Sequence, residues 1–344
     1  MKVMLTDICR PKQWKTIAVS DLNENGYWVY GANGIIGQYK NYNHEESVIM
    51  ITCRGATCGE INISKPKSWI NGNAMCLDNL SKQVMIKYLY YCLKAFNFKQ
   101  IISGSAQPQI TLMGLKKIIV EIIPLKAQAE IIQKLDFIEK LIYLKRQQLN
   151  KMDDLVKSRF IEMFINRNYP IRRLSDACNK ITDGTHETPN YLSDGVTFIS
   201  AKNIIDGKIN LDDVKYISND EYHEIQKRCA LSLGDILLTK SGTLGTCAIV
   251  ATEQQLGLFE SLAVVKYDRN IFNSQFLCEQ LRSDNVQNQF KNGTKGVAIK
   301  HLHLNVIGDT NVIIPPMPKQ NQFADFVQQV DKSKVVSIHC LKWL

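Results

Sequence analysis

The sequence predicts an α+β fold: two copies of one mixed α/β domain, each followed by a long helix, with the helices pairing as an antiparallel coiled coil. Three observations lead there. IIPLKAQAEIIQKL (122–135) and IIPPMPKQNQFADFV (313–327) make the same passage from an apolar strand through proline and a glutamine-containing turn into a helical pattern. Between Leu125 and Tyr169 there is neither glycine nor proline, and apolar residues keep a heptad seam. The rest of each half is made of short apolar runs broken by glycine and asparagine, which read as strands and tight loops.

Each copy opens alike, LTDIC at 5–9 and LSDAC at 174–178. Strands and turns follow in YWVYGANGIIGQY and VIMITCRGATCGE of the first half, and in DILLTKSGTLGTCAIV and SLAVVKY of the second. ITCRGATCG (51–59) faces LTKSGTLGT (238–246), and GSAQPQI (104–110) faces GTKGVAI (293–299). Helical patches intervene at 84–96 and 274–290. Pro124 then aligns with Pro316 and Gln128 with Gln320, followed by Leu135 with Val327 and Ile138 with Val330. Four matches in one order mark an internal duplication, with offsets that drift because loops differ in length.

The first helix carries Leu135, Ile138, Ile142, Leu149, Met152, Val156 and Met163 on its seam, interrupted by Lys145 and Arg159. Forty residues would make a rod of roughly 60 Å. The second offers Phe323, Phe326, Val327, Val330 and Val335. The expected division is 1–124, 125–166, 167–316 and 317–344. Because the second helix is short, the first helix's seam from Leu149 to Phe164 is expected to lack a partner within the chain.

Composition bounds the function without naming it. The 344 residues carry 42 Lys+Arg against 33 Asp+Glu, a net charge of +9 that permits a polyanionic partner without requiring one. Ten scattered cysteines lack zinc-knuckle spacing and read as buried reduced thiols. With no apolar leader and no long apolar run, the chain is expected to be soluble, cytoplasmic and free of membrane. His301 and His303 alternate on a predicted strand without a third ligand, so no metal is expected. There is no Asn-Pro-Pro-aromatic loop to grip a flipped adenine; the Pro-Pro at 315–316 precedes Met317. A phosphate-binding Gly-x-x-x-x-Gly-Lys-[Ser/Thr] loop and a Glu-x-Lys triplet are also missing, which argues against a methyltransferase, ATPase or nuclease.

The duplicated order of the opening L-[ST]-D-x-C, YGANGIIGQY, DGTHETPNYLSDGVTFISAKNI, TKSGTLGTCAIV with ESLAVV, and the Pro–Gln junctions resembles the specificity subunits of type I restriction–modification systems. The resemblance covers essentially the whole chain. It implies two target-recognition domains, each reading one half of a bipartite double-stranded DNA target, joined by spacer helices. It also implies two modification subunits that hold S-adenosylmethionine and methylate adenine, and a separate restriction subunit that translocates and cuts. No cofactor and no catalysis are expected in this chain.

On that resemblance the glycine loops become the DNA-facing elements, since backbone amides and small side chains there approach phosphates closely. In the first half the candidates are Tyr30, Asn33, Gly34, Arg54 and Thr57. Arg54 is placed to reach a guanine edge or a phosphate. In the second half they are Thr182, Asp183, Gly184, Thr185 and His186, then Lys202 and Asn203, then Lys240, Ser241 and Thr243, with Lys295 and Lys300 flanking the last loop. Asn203 suits adenine, while the lysines suit phosphates. Two other readings remain open from the sequence: a duplicated adaptor that binds proteins, and part of a fused restriction–methylation enzyme.

Overall fold

The computed structural model describes residues 1–32, 34–104, 107–294 and 301–342. The chain forms two compact units, Met1–Tyr143 and Leu144–Leu344, which divide within the long helix Leu125–Phe164.

The duplication is legible strand by strand. In the first unit an antiparallel sheet runs in the order Arg10–Gln13, Ala74–Asp78, Ile49–Thr52, Ile61–Ile63. In the second the order is Cys178–Asp183, Leu262–Tyr267, Ile236–Thr239, Cys247–Ile249. Ile49–Thr52 and Ile236–Thr239 lie inside their sheets and are buried at every position, so both read as unbroken apolar runs rather than alternating ones. A three-stranded sheet accompanies each: Gly34–Tyr39, Tyr27–Gly31, Trp69–Ile70 in one unit, and Lys215–Ile217, Val196–Ile199, Leu256–Leu258 in the other. In both, the first pair is antiparallel and the second parallel. A further antiparallel pair joins the start of each copy to its end, Lys2–Met4 with Ile119–Glu121 and Ile171–Arg173 with Asn311–Ile313.

The opening motif is a single helical turn in each copy, Leu5–Ile8 and Leu174–Ala177. Its leucine is fully buried both times, and Asp7 accepts the Met4 N–H at 3.0 Å to close the turn. One element of the second unit was not read from the sequence. Asn219–Cys229 is a helix started by a Ser218–Glu221 capping box, and it lays Ile225 on Phe198 and Ile217. The matching sheet of the first unit carries edge-to-face aromatic pairs, Tyr39 with Trp69 and Tyr27 with Tyr42.

The long helix contributes Ile132 to the core of the first unit. In the second unit Val156, Phe160 and Phe164 enter a core with Phe276, Phe323 and Val327. Phe160 and Phe164 lie 5.6 and 5.5 Å from Phe323 by ring centroid, and Asp153 Oδ1 is 2.7 Å from Lys334 Nζ. Going down one helix means going up the other, so the pairing is antiparallel. From Met152 to Phe164 this corrects the expectation that the seam lacks a partner within the chain. In an antiparallel pair the end of the first helix meets the start of the second, so a short second helix costs nothing there. The buried spacing of four residues, 156–160–164, also replaces the strict heptad. All ten cysteines are free; Cys340 is exposed, against the expectation of burial. Among the described residues no helix is long and apolar enough to cross a membrane.

Candidate nucleic-acid interface

In the second unit three loops converge on one buried ion pair. The strand Cys178–Asp183 ends at Asp183, whose carboxylate is fully buried and receives Lys240 Nζ at 2.5 Å and the Arg228 guanidinium. Lys240 is buried as well, and Glu260 Oε2 stands 3.5 Å from its ammonium. Burial alone would raise the Asp183 carboxyl, but hydrogen bonds from Lys240 and Arg228 outweigh it and hold the group below the usual carboxylate range. His186 Nε2 lies 3.2 Å from the same carboxylate. His301, 3.6 Å from Glu260, is held below the ordinary histidine value by burial, which outweighs the opposing pull of the Glu260 carboxylate.

Backbone bonds complete the assembly. Lys240 donates its N–H to Ser261 O and accepts from Leu302 N, both at 2.8 Å, while Glu260 N donates to Thr185 O. Ala201 N donates to the Ser261 hydroxyl, bringing the 200–203 turn alongside. Gly184 is obligatory, since a Cβ there would lie 2.1 Å from Leu258 O.

The first unit repeats this frame with different groups. Cys53 stands where Lys240 does: it donates its N–H to Asn73 O and accepts from Ile110 N, both at 3.0 Å. Gln13, at the end of the strand equivalent to Cys178–Asp183, places Nε2 2.9 Å from Cys53 Sγ and 2.8 Å from Gly72 O. A neutral amide and thiol replace the buried ion pair, and burial raises the thiol further. Beyond each anchor, a turn is turned outward by a glycine with positive φ, Gly55 (+87°) or Gly242 (+71°), with open space around its Cβ position. The Arg54 turn bonds back through Gly55 N to Pro108 O, and Thr52 Oγ1 donates to Ala32 O at 2.5 Å, tying in the hairpin tip.

The candidates therefore separate by position. Arg54, His186, Lys202 and Thr243 are exposed, and Ser241, Thr185, Thr57 and Gly34 are half-buried around the same loops. Lys202 meets Asp213 at 3.1 Å, an exposed pair that leaves the ammonium accessible. Five candidates are corrected. Lys240 is spent on Asp183 and Glu260 inside the domain, which removes it as a phosphate contact. Asp183 is its counter-charge. Asn203 is buried, with its carbonyl accepting Ser200 N and its amide donating to Asn210 O and Asp213 O, so no amide face is left for adenine. Tyr30 is buried, and its hydroxyl accepts Lys65 N at 3.0 Å. Thr182 is also buried, within its strand. Asn33, Lys295 and Lys300 lie outside the described residues.

Sequence reasoning missed Arg228, Glu260 and Gln13, which sit on other elements and reach the site only through the fold. It also missed a cluster of His44, Cys76 and Asp78, whose ligand-type atoms lie within 4.8 Å of one another. The Asn43 amide is oriented by both backbone groups of Ile70 and accepts from His44 Nδ1; His44 Nε2 meets Asp78 Oδ1 at 2.9 Å, and Trp14 Nε1 donates to Asp78 Oδ2. These hydrogen bonds hold the His44 and Asp78 side chains in place.

Comparison with known proteins follows the same duplication. A model of the type I restriction modification DNA specificity domain matches residues 1–153 and again 166–339. A Haemophilus influenzae protein bearing the name of a type I restriction enzyme specificity subunit is 23% identical over 332 residues, covering 88% of this chain and 79% of that protein. The EcoBI specificity subunit of Escherichia coli is 24% identical over 192 residues, covering 56% of this chain and 39% of that protein. Among solved structures, the S subunit of a type I restriction–modification system from M. genitalium has a TM-score of 0.57 at 15% identity, covering 99% of this chain and 92% of that one. A chain from a structural study of complex assembly and conformational transition in the type I system gives 0.56 at 13% identity, covering 99% and 93%. These two likenesses carry the fold.

Proposed function

Because the chain belongs to the family of type I restriction modification DNA specificity domains, we propose that it is the non-catalytic reader of a restriction–modification complex, each unit recognising one half of a bipartite duplex target. The observation that carries this is the pair of outward turns. Both hang from the same two backbone hydrogen bonds, yet one presents Arg54-Gly55-Ala56-Thr57 and the other Ser241-Gly242-Thr243-Leu244. A common frame with different exposed groups is what two readers of unlike half-sites require.

The chemistry follows from the exposed groups. Arg54 suits the O6/N7 edge of guanine, and the hydroxyls of Ser241 and Thr243 suit several base edges. Lys202 supplies sequence-independent attraction to phosphate. Asp183 and Lys240 work from below, holding the strand ends that carry the loops. Methyl transfer and cleavage are assigned to partners: two modification subunits that bind S-adenosylmethionine, and a restriction subunit. Selection from a random-sequence duplex library by the purified full chain tests this. Enrichment of two short motifs at a fixed separation is expected, without methyl transfer from added S-adenosylmethionine. A protein adaptor would enrich no sequence.

A further inference from the structure

The glutamine that first marked the repeat has an unexpected place. Gln128 and Gln320 lie in the first turn after Pro124 and Pro316, and both are completely buried. The Gln128 side-chain carbonyl accepts Met85 N at 2.8 Å, and its amide donates to Gln83 O and Ile123 O, each at 2.8 Å. The Gln320 carbonyl accepts Asn273 N at 2.9 Å, and its amide donates to Ile271 O and Pro315 O, each at 2.8 Å. The partners correspond one for one. Met85 and Asn273 are the N-caps of the domain helices Ile86–Ala95 and Ser274–Arg282. Gln83 and Ile271 each lie two residues before their cap, and Ile123 and Pro315 precede the proline junctions.

A helix can begin without such a fixture. Its first N–H groups need a cap, but nothing requires a buried side chain to bond the root of another helix. Only an amide fits the three partners, because it must accept once and donate twice. Glutamate would turn a carboxylate toward two carbonyl oxygens, and methionine would leave one N–H and two carbonyls unpaired. The other ties between domain and helix differ between copies. In the first, Asp136 takes Lys87 and the Tyr91 hydroxyl, both at 2.6 Å. In the second, Phe323 rests against Phe276 and Phe164. The glutamine fixture is the part held in common.

We propose that Gln128 and Gln320 are positioning residues that lock the angle between each domain and its helix, and thereby fix the number of unread base pairs tolerated between the half-sites. The effect on spacing rests on the bipartite DNA reading; the lock itself does not. Leverage makes the angle matter. A tilt of about 5° at the root of a rod of ~60 Å swings its far end by about 5 Å. That exceeds the rise of one base pair, ~3.4 Å.

Two measurements separate the lock from the DNA reading. Spin labels introduced as non-natural residues at the exposed Lys99 and Lys140 of the full chain report the angle in the first copy. A narrow distance distribution is expected for the parent and a broadened one for Gln128→Met. An equally narrow distribution would overturn the lock, whatever DNA does. Selection from a duplex library with varied gaps then reads the consequence. The parent should favour one gap over its neighbours by at least tenfold; Gln128→Met or Gln320→Met should reduce that preference to about twofold, with half-site sequences unchanged. Val264→Ala, a change in a separate buried cluster that holds no junction residue, should lower the melting temperature and leave gap preference intact. Unchanged gap preference in the glutamine variants, or an equal loss in Val264→Ala, overturns the role in spacing. If a methionine variant does not fold, the glutamate variant, which keeps the acceptor oxygen, is read by the same criteria. A parent that enriches no bipartite motif refutes the DNA reading, while the label distances still decide the lock.

Discussion

Removing the Asp183 carboxylate leaves the Lys240 ammonium in an interior that gives its side chain 4% exposure. Asp183→Asn keeps the shape but deletes the charge that receives Lys240 Nζ at 2.5 Å and the Arg228 guanidinium. Glu260 remains, but at 3.5 Å and partly solvated, so it compensates incompletely. Breaking one side of a buried pair costs about 3–5 kcal/mol. For a domain of this size, roughly 2–4 °C of melting temperature goes with each kcal/mol, so a fall on the order of 10 °C is expected. Lys240→Met should destabilise comparably, because it strands the carboxylate with the half-exposed Arg228 and His186. The double change Asp183→Leu with Lys240→Met removes both charges and should recover most of the loss. Calorimetry of the full chain is the assay, with the transition of the other unit as internal reference. A fall below about 1 kcal/mol in either single variant would mean that the pair behaves like a surface ion pair, and the account of Lys240 as a support would fail.

Three further outcomes follow from the same structure. Since Asp183 is held below the usual carboxylate range, its contribution is complete above about pH 4 and is lost as pH falls further, through its lowered folded value; acid titration of the melting temperature should show this for the parent and lack it in Asp183→Asn. Phe160→Ala empties a site shared by Phe164, Phe276 and Phe323 and should cost about 3–5 kcal/mol, read by urea denaturation; a loss under about 1 kcal/mol would contradict the antiparallel packing. Lys202→Ala should weaken binding to every duplex alike and reduce the salt slope by about one unit, whereas an unchanged slope would place Lys202 off the DNA.

Much of this architecture is written locally. The strands Ile49–Thr52 and Ile236–Thr239 announce themselves as short apolar runs, and the long helix as a stretch without glycine or proline. The duplication needed only the chain laid against itself. What escaped is what depends on pairing between distant elements. Lys240 looks like a loop lysine until the strand ending at Asp183 is brought beside it, and Asn203 looks like a free amide until the turn at Asn210 closes on it. Phe160 and Phe164 fall outside the heptad phase that Met152 and Val156 suggested, because a core with Phe276 and Phe323 outweighs the coiled-coil repeat. Gln128 and Gln320 were visible as a motif, while their burial and bonding were not.

The measurement that bears most directly on the central claim changes the two outward turns one at a time. Arg54→Ala with Thr57→Ala alters only the first unit, and Ser241→Ala with Thr243→Ala only the second. Each variant is taken through selection on the random duplex library beside the parent. Each pair is expected to relax one half of the enriched motif, by about 1–3 kcal/mol per lost base contact, and to leave the other half and the gap unchanged. Variants that disturb both halves together, or neither, would contradict two independent readers on one chain.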